Sequence, residues 1–168
     1  RALADALGRA EAVHVPSGFL ADALRCIGVP DKVIRLTRIG LPHLDDLRRA
    51  TAEGPHGTPR VSGDRPVTFA FHGTAAPHKG LAIFLRAVQL VPEDVPARFI
   101  VRGVMQAALP TAGRIDAHPP YGPDELPAFV GSYDVGVSPH LWFENSPLTV
   151  LEHLAAARPV IASRLGGV

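Results

Sequence analysis

The sequence predicts an α/β fold, a doubly wound sheet of parallel strands. From Pro66 onward, short runs rich in Val, Ile and Phe alternate with stretches that have the apolar spacing of amphipathic helices. Strands that alternate with helices pair in parallel through crossover connections. The chain has 168 residues, of which 46% are hydrophobic. That is enough for one domain, or one domain and part of another, with a buried core.

Shorter elements precede this regular pattern. Ser17 is a candidate helix N-cap, and Gly28 and Pro30 end the helix that it begins. The predicted elements are helices over residues 1–10, 17–28 and 44–50, and strands over residues 12–15 and 33–36. Residues 51–65, TAEGPHGTPRVSGDR, are rich in Gly, Pro, Ser and Thr without periodicity. This composition predicts a flexible connection.

The regular part supplies the sheet and its crossovers. The predicted strands are residues 67–72, 97–103, 134–138 and 159–163, and the predicted helices are residues 80–91, 123–132 and 147–157. Such sheets bind ligands beyond the carboxyl ends of their strands. We therefore expect the functional residues directly after positions 72, 103, 138 and 163.

The composition excludes several functional classes. The formal net charge is only +1, whereas a dedicated nucleic-acid binder shows a basic stripe. Cys26 is the single cysteine, which excludes an internal disulfide, and we interpret it as a small core residue. No apolar run approaches the ~20 residues that span a bilayer, and the N-terminus lacks the layout of a signal peptide. We expect no transmembrane segment and a cytoplasmic location, including the inner membrane surface.

The first candidate site follows the first strand of the regular part, in HGTAAPHKG, residues 72–80. Gly73 is free to adopt a positive φ, and Lys79 stands beside the backbone N–H groups that open the next helix. These features predict an anion site. The order of a Walker-type phosphate loop is absent because Lys79 precedes its glycine, and a solvated lysine at a loop end is the alternative.

The second candidate site is a helix start after the strand at residues 134–138. Ser146 and Pro147 predict an N-cap followed by proline at the first helical position. The free N–H groups of Leu148 and Thr149 then face the crevice at the strand ends. The partial positive charge of a helix N-terminus favours a phosphate there.

Two glutamates flank this helix start. Glu144 precedes the helix and Glu152 lies within it, so a carboxylate is available for each end of an elongated ligand. Carboxylates accept hydrogen bonds from hydroxyls, including the diols of sugars. For Glu144 the alternative is a partner of the helix dipole. Glu152 is expected on a largely buried helix, where a carboxylate requires a partner.

Other residues beside the strand ends have simpler interpretations. We interpret His72, His78, His140 and His153 as surface or packing residues. Trp142 and Phe143 either line a sugar site or pack over the helix start.

Three segments resemble a known family. The spacing Glu144-x7-Glu152 in WFENSPLTVLEHLAAARPVIASRLGGV resembles the E-x7-E region of retaining glycosyltransferases of the GT-B fold, family-4 type. HGTAAPHKG resembles that family's first strand, loop and helix of the donor-binding domain. VHVPSGFLADALRCIGVPDKVIRLTRIGLP resembles the end of the acceptor domain and the interdomain linker.

The resemblance implies a domain organisation. Residues 1–50 would be the end of the acceptor domain and the linker, residues 51–65 the connection, and residues 66–168 a Rossmann-like nucleotide-sugar-binding domain. Most of the N-terminal acceptor domain and the last part of the donor domain would lie outside this chain. The fragment alone would then be inactive.

The resemblance also implies roles for individual residues. Glu144 and Lys79 would be catalytic, Glu144 at the hydroxyls of the transferred sugar and Lys79 at the diphosphate, while Glu152 would bind the ribose. The full substrate-binding set would be Gly73, Lys79, Glu144, Asn145, Ser146, Pro147, Leu148, Thr149, Glu152, Gly166 and Gly167.

The implied reaction is transfer of a sugar from a nucleoside-diphosphate sugar to a saccharide or lipid-linked acceptor, with retention. The donor is a substrate, and we expect no cofactor, no catalytic metal and no nucleic-acid partner. Two departures from the family's pattern stand out. Many members carry an arginine between the first glycine and the lysine of this loop, where this chain has Thr74, Ala75 and Ala76. The Pro-Ser that is usual after the fourth strand is Pro139-His140 here. A non-catalytic Rossmann-type nucleotide-binding module is the alternative, and a sugar-nucleotide epimerase is disfavoured by the ENSPLTVLE run.

Overall fold

The computed structural model describes residues 1–53, 65–105, 109 and 114–168. Residues 54–64, most of the predicted connection, lie outside this part. The chain divides into two compact units. The first comprises Arg1–Gly40, Trp142–Pro147 and Arg164–Val168, and the second comprises Leu41–Leu141 and Leu148–Ser163.

The first unit contains a small parallel sheet. Its elements are α1 (Ala2–Leu7), β1 (Val13–Val15), α2 (Gly18–Cys26) and β2 (Ile34–Leu36). β1 pairs with β2, with Val13 opposite Ile34. Ser17 caps α2 as predicted, because its Oγ accepts a hydrogen bond from the Leu20 N–H at 3.3 Å. Cys26 is exposed, so the prediction of a core cysteine is wrong; α2 buries Ala21 instead.

The second unit is built on a five-stranded parallel sheet. Its elements are α3 (His43–Glu53), β3 (Val67–His72), α4 (Leu81–Leu90), β4 (Ala97–Arg102), β5 (Ile115–His118), α5 (Leu126–Gly131), β6 (Val135–Ser138), α6 (Leu148–Ala155) and β7 (Val160–Ala162). The strand order is β5-β4-β3-β6-β7, and every pair is parallel.

Hydrophobic clusters cover both faces of this sheet. Ala70 and Phe71 are neighbours on β3 and point to opposite faces. Phe71 packs in a cluster with Phe84 of α4. Ala70 packs in a second cluster to which α3, α5 and the end of α6 contribute. Helices on both faces of a parallel sheet confirm the predicted doubly wound α/β class.

The strand order reverses beside β3. From β3 the chain adds β4 and β5 on one side, and it then adds β6 and β7 on the other. Such a reversal is a topological switch point, and ligands of doubly wound sheets bind outside the carboxyl ends of the strands there. The loops after β3 and β6 are therefore the expected place for a site.

Several details differ from the sequence prediction. β5 was not predicted, although Ile115-Asp116-Ala117-His118 alternates apolar and polar side chains. The predicted helix over residues 123–132 is a 3₁₀ turn, Pro123–Glu125, followed by α5. No helix of the described residues combines the length and hydrophobicity that crossing a membrane requires.

Candidate functional site

The loop after β3 is held against the loop after β6. Pro77–Lys79 forms a 3₁₀ turn, and Gly80 follows with φ of 79° before α4 begins. The Leu141 N–H donates to the His78 carbonyl at 2.9 Å. A Cβ on Gly80 would overlap the carbonyl group of Pro139. Lys79, which is half-buried, is thus presented from a fixed turn at the switch point.

The helix α6 brings polar side chains into the interior of the second unit. It begins at Leu148, one residue later than the proline start predicted from Ser146-Pro147. Glu152 and His153 are its buried residues, whereas Leu154 is 57% exposed. The expectation that this helix is largely buried is therefore wrong, whereas the burial expected for Glu152 is confirmed. Burying a polar group costs free energy unless it is hydrogen-bonded, so these two side chains require specific partners or have a specific role.

Glu152 has two histidine neighbours. His43 Nε2, from α3, lies 3.0 Å from Glu152 Oε1. His72 Nε2, at the end of β3, lies 3.8 Å from Oε2, beyond hydrogen-bond range. A carboxylate only accepts hydrogen bonds, so the proton of the His43 ring is on Nε2, which donates a hydrogen bond to Oε1.

His72 is a neutral residue enclosed by the site. Its Nδ1 lies 2.7 Å from the Tyr121 hydroxyl, and burial lowers its pKa to about 4. Its Nε2 lies 3.8 Å from Glu152 Oε2, and it has no hydrogen-bond partner of normal length among the described residues. These surroundings favour the tautomer protonated on Nε2, which places a donor towards the carboxylate while Tyr121 donates to Nδ1.

His153 lies directly behind His72. Their ring centroids are 4.6 Å apart, and the Tyr133 hydroxyl lies 2.5 Å from His153 Nδ1. Burial, and secondarily the proximity of His72, lower the pKa of His153 to about 3. The interpretation of His153 as a packing residue agrees with this position. His72 packs as well, and its Nε2 also lies 3.8 Å from the Glu152 carboxylate.

Six of the predicted site residues lie in the first unit. Glu144 is buried, and it forms a parallel β-bridge with Gly166. The Gly167 N–H donates to the Glu144 carbonyl at 2.6 Å. Gly166 has φ of 69°, and a Cβ on either glycine would overlap the backbone of residues 144–145. The glycine pair therefore packs closely against the backbone of Glu144 and Asn145.

Side chains around this segment are less enclosed. Ser17 Oγ donates to Asn145 Oδ1 over a long 3.5 Å. Ser146 is half-buried and Pro147 is buried. Phe143 is 64% exposed, and its ring stacks on that of Phe19 with the two ring centroids 5.2 Å apart. Gly73, Lys79, Leu148, Thr149 and Glu152 belong to the second unit, whereas Glu144, Asn145, Ser146, Pro147, Gly166 and Gly167 belong to the first.

Comparison with known proteins identifies the family. Residues 66–168 match the family model described as glycosyl transferases group 1. The chain belongs to this family. A search of curated proteins found no significant match to this group 1 glycosyltransferase chain.

Solved structures share its fold. HepE of Anabaena, solved with UDP and glucose, has a TM-score of 0.71 at 16% identity, covering 99% of this chain and 48% of HepE. A glycosyltransferase of Rickettsia africae ESF-5 has a TM-score of 0.78 at 15% identity, covering 100% and 49%. Sucrose-phosphate synthase of Thermosynechococcus elongatus has a TM-score of 0.73 at 20% identity, covering 98% and 43%.

These likenesses define the architecture of the group 1 chain. Its five-stranded sheet matches the C-terminal Rossmann-like domain of GT-B glycosyltransferases. The chain spans about half the length of the solved relatives that it matches.

Sequence reasoning missed two residues of the site. His43 and Tyr121 contact Glu152 and His72 respectively, but they lie in a predicted linker and before a predicted helix. His43 and Glu152 are 109 positions apart, so no local pattern predicts their contact. The buried position predicted for Glu152 was the available signal, because it required a partner.

Proposed function

We propose that this chain is the nucleotide-sugar-binding part of a retaining glycosyltransferase of the family-4 type, which transfers a hexosyl group from a nucleoside-diphosphate sugar. One observation carries the proposal. In a member of the group 1 family, the turn that bears Lys79 is fixed at the topological switch point, where α6 also brings Glu152.

The diphosphate of the donor is proposed to bind at Lys79 and the start of α6. Lys79 offers an ammonium group, and the first turn of α6 offers the backbone N–H groups of Leu148 and Thr149, which have no partner within the helix. A helix N-terminus and a cation favour a phosphate. Negative charge grows on the leaving diphosphate as the glycosidic bond breaks, so these same groups stabilise the transition state. The reaction so described needs no bound metal or cofactor.

The glutamates are proposed to accept hydrogen bonds from hydroxyl groups. Glu152 accepts from the ribose, and Glu144 accepts from the transferred sugar. Asn145, Ser146 and Pro147 shape the segment after Glu144, and the backbones of Gly73, Gly166 and Gly167 approach the donor without side chains in the way. Each of these roles stays a proposal, supported by the resemblance and by the residue types.

The rest of the protein would complete the reaction. An N-terminal domain outside this chain would bind a saccharide or lipid-linked acceptor, as in polysaccharide biosynthesis, and the protein would act in the cytoplasm or at the inner membrane surface. The 168-residue chain by itself would not transfer sugar.

Calorimetric titration of UDP, GDP and ADP into the complete protein tests the donor site. HepE was solved with UDP and glucose, which makes UDP the first choice. We expect one nucleotide to bind tightly, and Lys79→Ala and Glu152→Ala to weaken it about tenfold or more. Lys32→Ala and Glu93→Ala, at exposed positions, are the matched controls. Unchanged binding in both site variants would refute the proposal.

A non-catalytic nucleotide-binding module is the second candidate. It is favoured by Thr74, Ala75 and Ala76, which leave the loop after β3 without the arginine common in the family. Nucleotide binding by the complete protein, without sugar transfer to any acceptor and without hydrolysis of the bound nucleotide sugar, would support this candidate over the enzyme.

A further inference from the structure

We propose that His43 is a positioning residue that fixes the Glu152 carboxylate for the ribose hydroxyls of the nucleotide. The inference rests on the proposed function, since it assumes that Glu152 meets the ribose. It extends that function to a residue of α3, outside the segments that resemble the family's donor site.

The contact is specific in its geometry. His43 Nε2 donates to Glu152 Oε1 at 3.0 Å. The Glu152 side chain is 11% exposed, and that of His43 is 39% exposed. A carboxylate that leaves water requires a hydrogen-bond donor, and among the described residues His43 supplies the one bond of normal length. His43 is therefore a partly exposed residue that donates a hydrogen bond to the nearly buried Glu152 carboxylate.

His72 cannot replace His43 in this role. Its Nε2 is 3.8 Å from Oε2, and its Nδ1 is engaged by Tyr121 at 2.7 Å. His72 bounds the far side of the carboxylate without holding it. The two oxygens of Glu152 are thus unequal, because among the described residues Oε1 accepts a hydrogen bond of normal length, whereas Oε2 lies 3.8 Å from His72 Nε2, beyond hydrogen-bond range.

An immobilised carboxylate binds a diol better than a mobile one. Glutamate has several rotatable bonds, and ordering such a side chain opposes binding unless another contact has already ordered it. The bond from His43 orders Glu152 before the ligand arrives. Removing that bond should therefore weaken only the ligands that offer ribose hydroxyls to Oε2.

The test measures dissociation constants in the complete protein by calorimetry. The probes are the tightest-binding of UDP, GDP and ADP and its 2′,3′-dideoxy analogue. For His43→Ala we expect roughly tenfold weaker binding of the ribonucleotide and less than a twofold change for the analogue. His43→Gln keeps an amide donor, and it should recover most of the loss. His118→Ala removes another histidine of 39% exposure, paired with Asp116 at 3.1 Å, and should change neither constant.

The outcomes separate the inference from the proposed function. Adding His43→Ala to Glu152→Ala should cause no further loss, because the two act as one unit. If Glu152→Ala weakens the ribonucleotide but His43→Ala does not, or if His43→Ala weakens both nucleotides equally, His43 is not a positioning residue. If Glu152→Ala itself has no effect on the ribonucleotide, the ribose role fails and the inference fails with it.

Discussion

Buried histidines show how single residues set the electrostatics of the candidate site. His72 and His153 have pKa values near 4 and near 3, because burial disfavours their charged forms. Both are neutral at pH 7, and their rings lie 4.6 Å apart. Two positive charges at that distance in the interior would repel each other. Among the described residues, the hydrogen bond of normal length to Glu152 comes instead from His43, whose side chain is 39% exposed.

The two histidines should make stability fall as the pH is lowered. An unfolded histidine takes up its proton near pH 6.5, whereas the folded ones resist protonation until about pH 4 and pH 3. The unfolded state therefore binds more protons between these values, and the free energy of unfolding decreases as the pH falls. We expect a loss of about 2 kcal/mol for each histidine between pH 7 and pH 5. Urea unfolding followed by circular dichroism measures it.

Substitution assigns this pH dependence to the pair. His153→Phe removes one titrating group, so the loss between pH 7 and pH 5 should shrink by about half, although the Tyr133 hydroxyl loses its partner and overall stability falls. His14→Phe, at an exposed histidine, is the control and should keep the full slope. A His153→Phe slope equal to that of the wild type would show that other groups cause the effect.

The turn between β3 and α4 shows how an element is held in place. Gly80 has φ of 79°, which L side chains rarely adopt, and its Cα faces the carbonyl of Pro139. The turn of Pro77–Lys79 is further fixed by the hydrogen bond from Leu141 to His78. The position of Lys79 thus depends on a residue without a side chain and on the loop after β6.

Gly80→Ala should therefore displace the turn. The added Cβ collides with backbone, which cannot rotate away as a side chain can, and the positive φ adds strain of about 1 kcal/mol. We expect a destabilisation of about 2 kcal/mol or more, together with weaker nucleoside diphosphate binding, by urea unfolding and calorimetry. Gly122→Ala is the control, since a Cβ there has open space and an ordinary φ. Equal stability of the two variants would refute the close contact.

Elements and site differ in how far the sequence predicts them. The strands β3 and β4 and the helix α4 were predicted within a residue of their bounds, because apolar periodicity is a local property. β5 was missed because it is short, lies at the sheet edge and keeps polar Asp116 and His118. The contacts of Glu152 could not be predicted, since they join α6 to α3 and to the end of β3 across the fold.

At the scale of the whole molecule, burial in the sheet of the second unit decreases from its central strands to the β5 edge. Ala70 and Val101, on the neighbouring strands β3 and β4, are fully buried. Among the described residues, β3 has a partner strand on each side, whereas β5 pairs with β4 alone. None of the residues of β5 is buried. Opening the centre of this sheet exposes two hydrophobic clusters, whereas opening its β5 edge uncovers side chains that are at most half-buried.

Native-state hydrogen exchange should reproduce this gradient. Amides of β3 and β4 exchange only when the sheet opens as a whole, so their opening free energies should approach that of global unfolding. Amides of β5 open locally, and we expect them to exchange at least ten times faster, because their release breaks one ladder and uncovers half-buried side chains. Mass spectrometry of peptic fragments, with β6 as the internal reference because it pairs with both β3 and β7, measures the difference. Protection of β5 equal to that of β3 would mean that the edge is covered in the complete protein, and the strand order alone would then not determine the stability of the sheet.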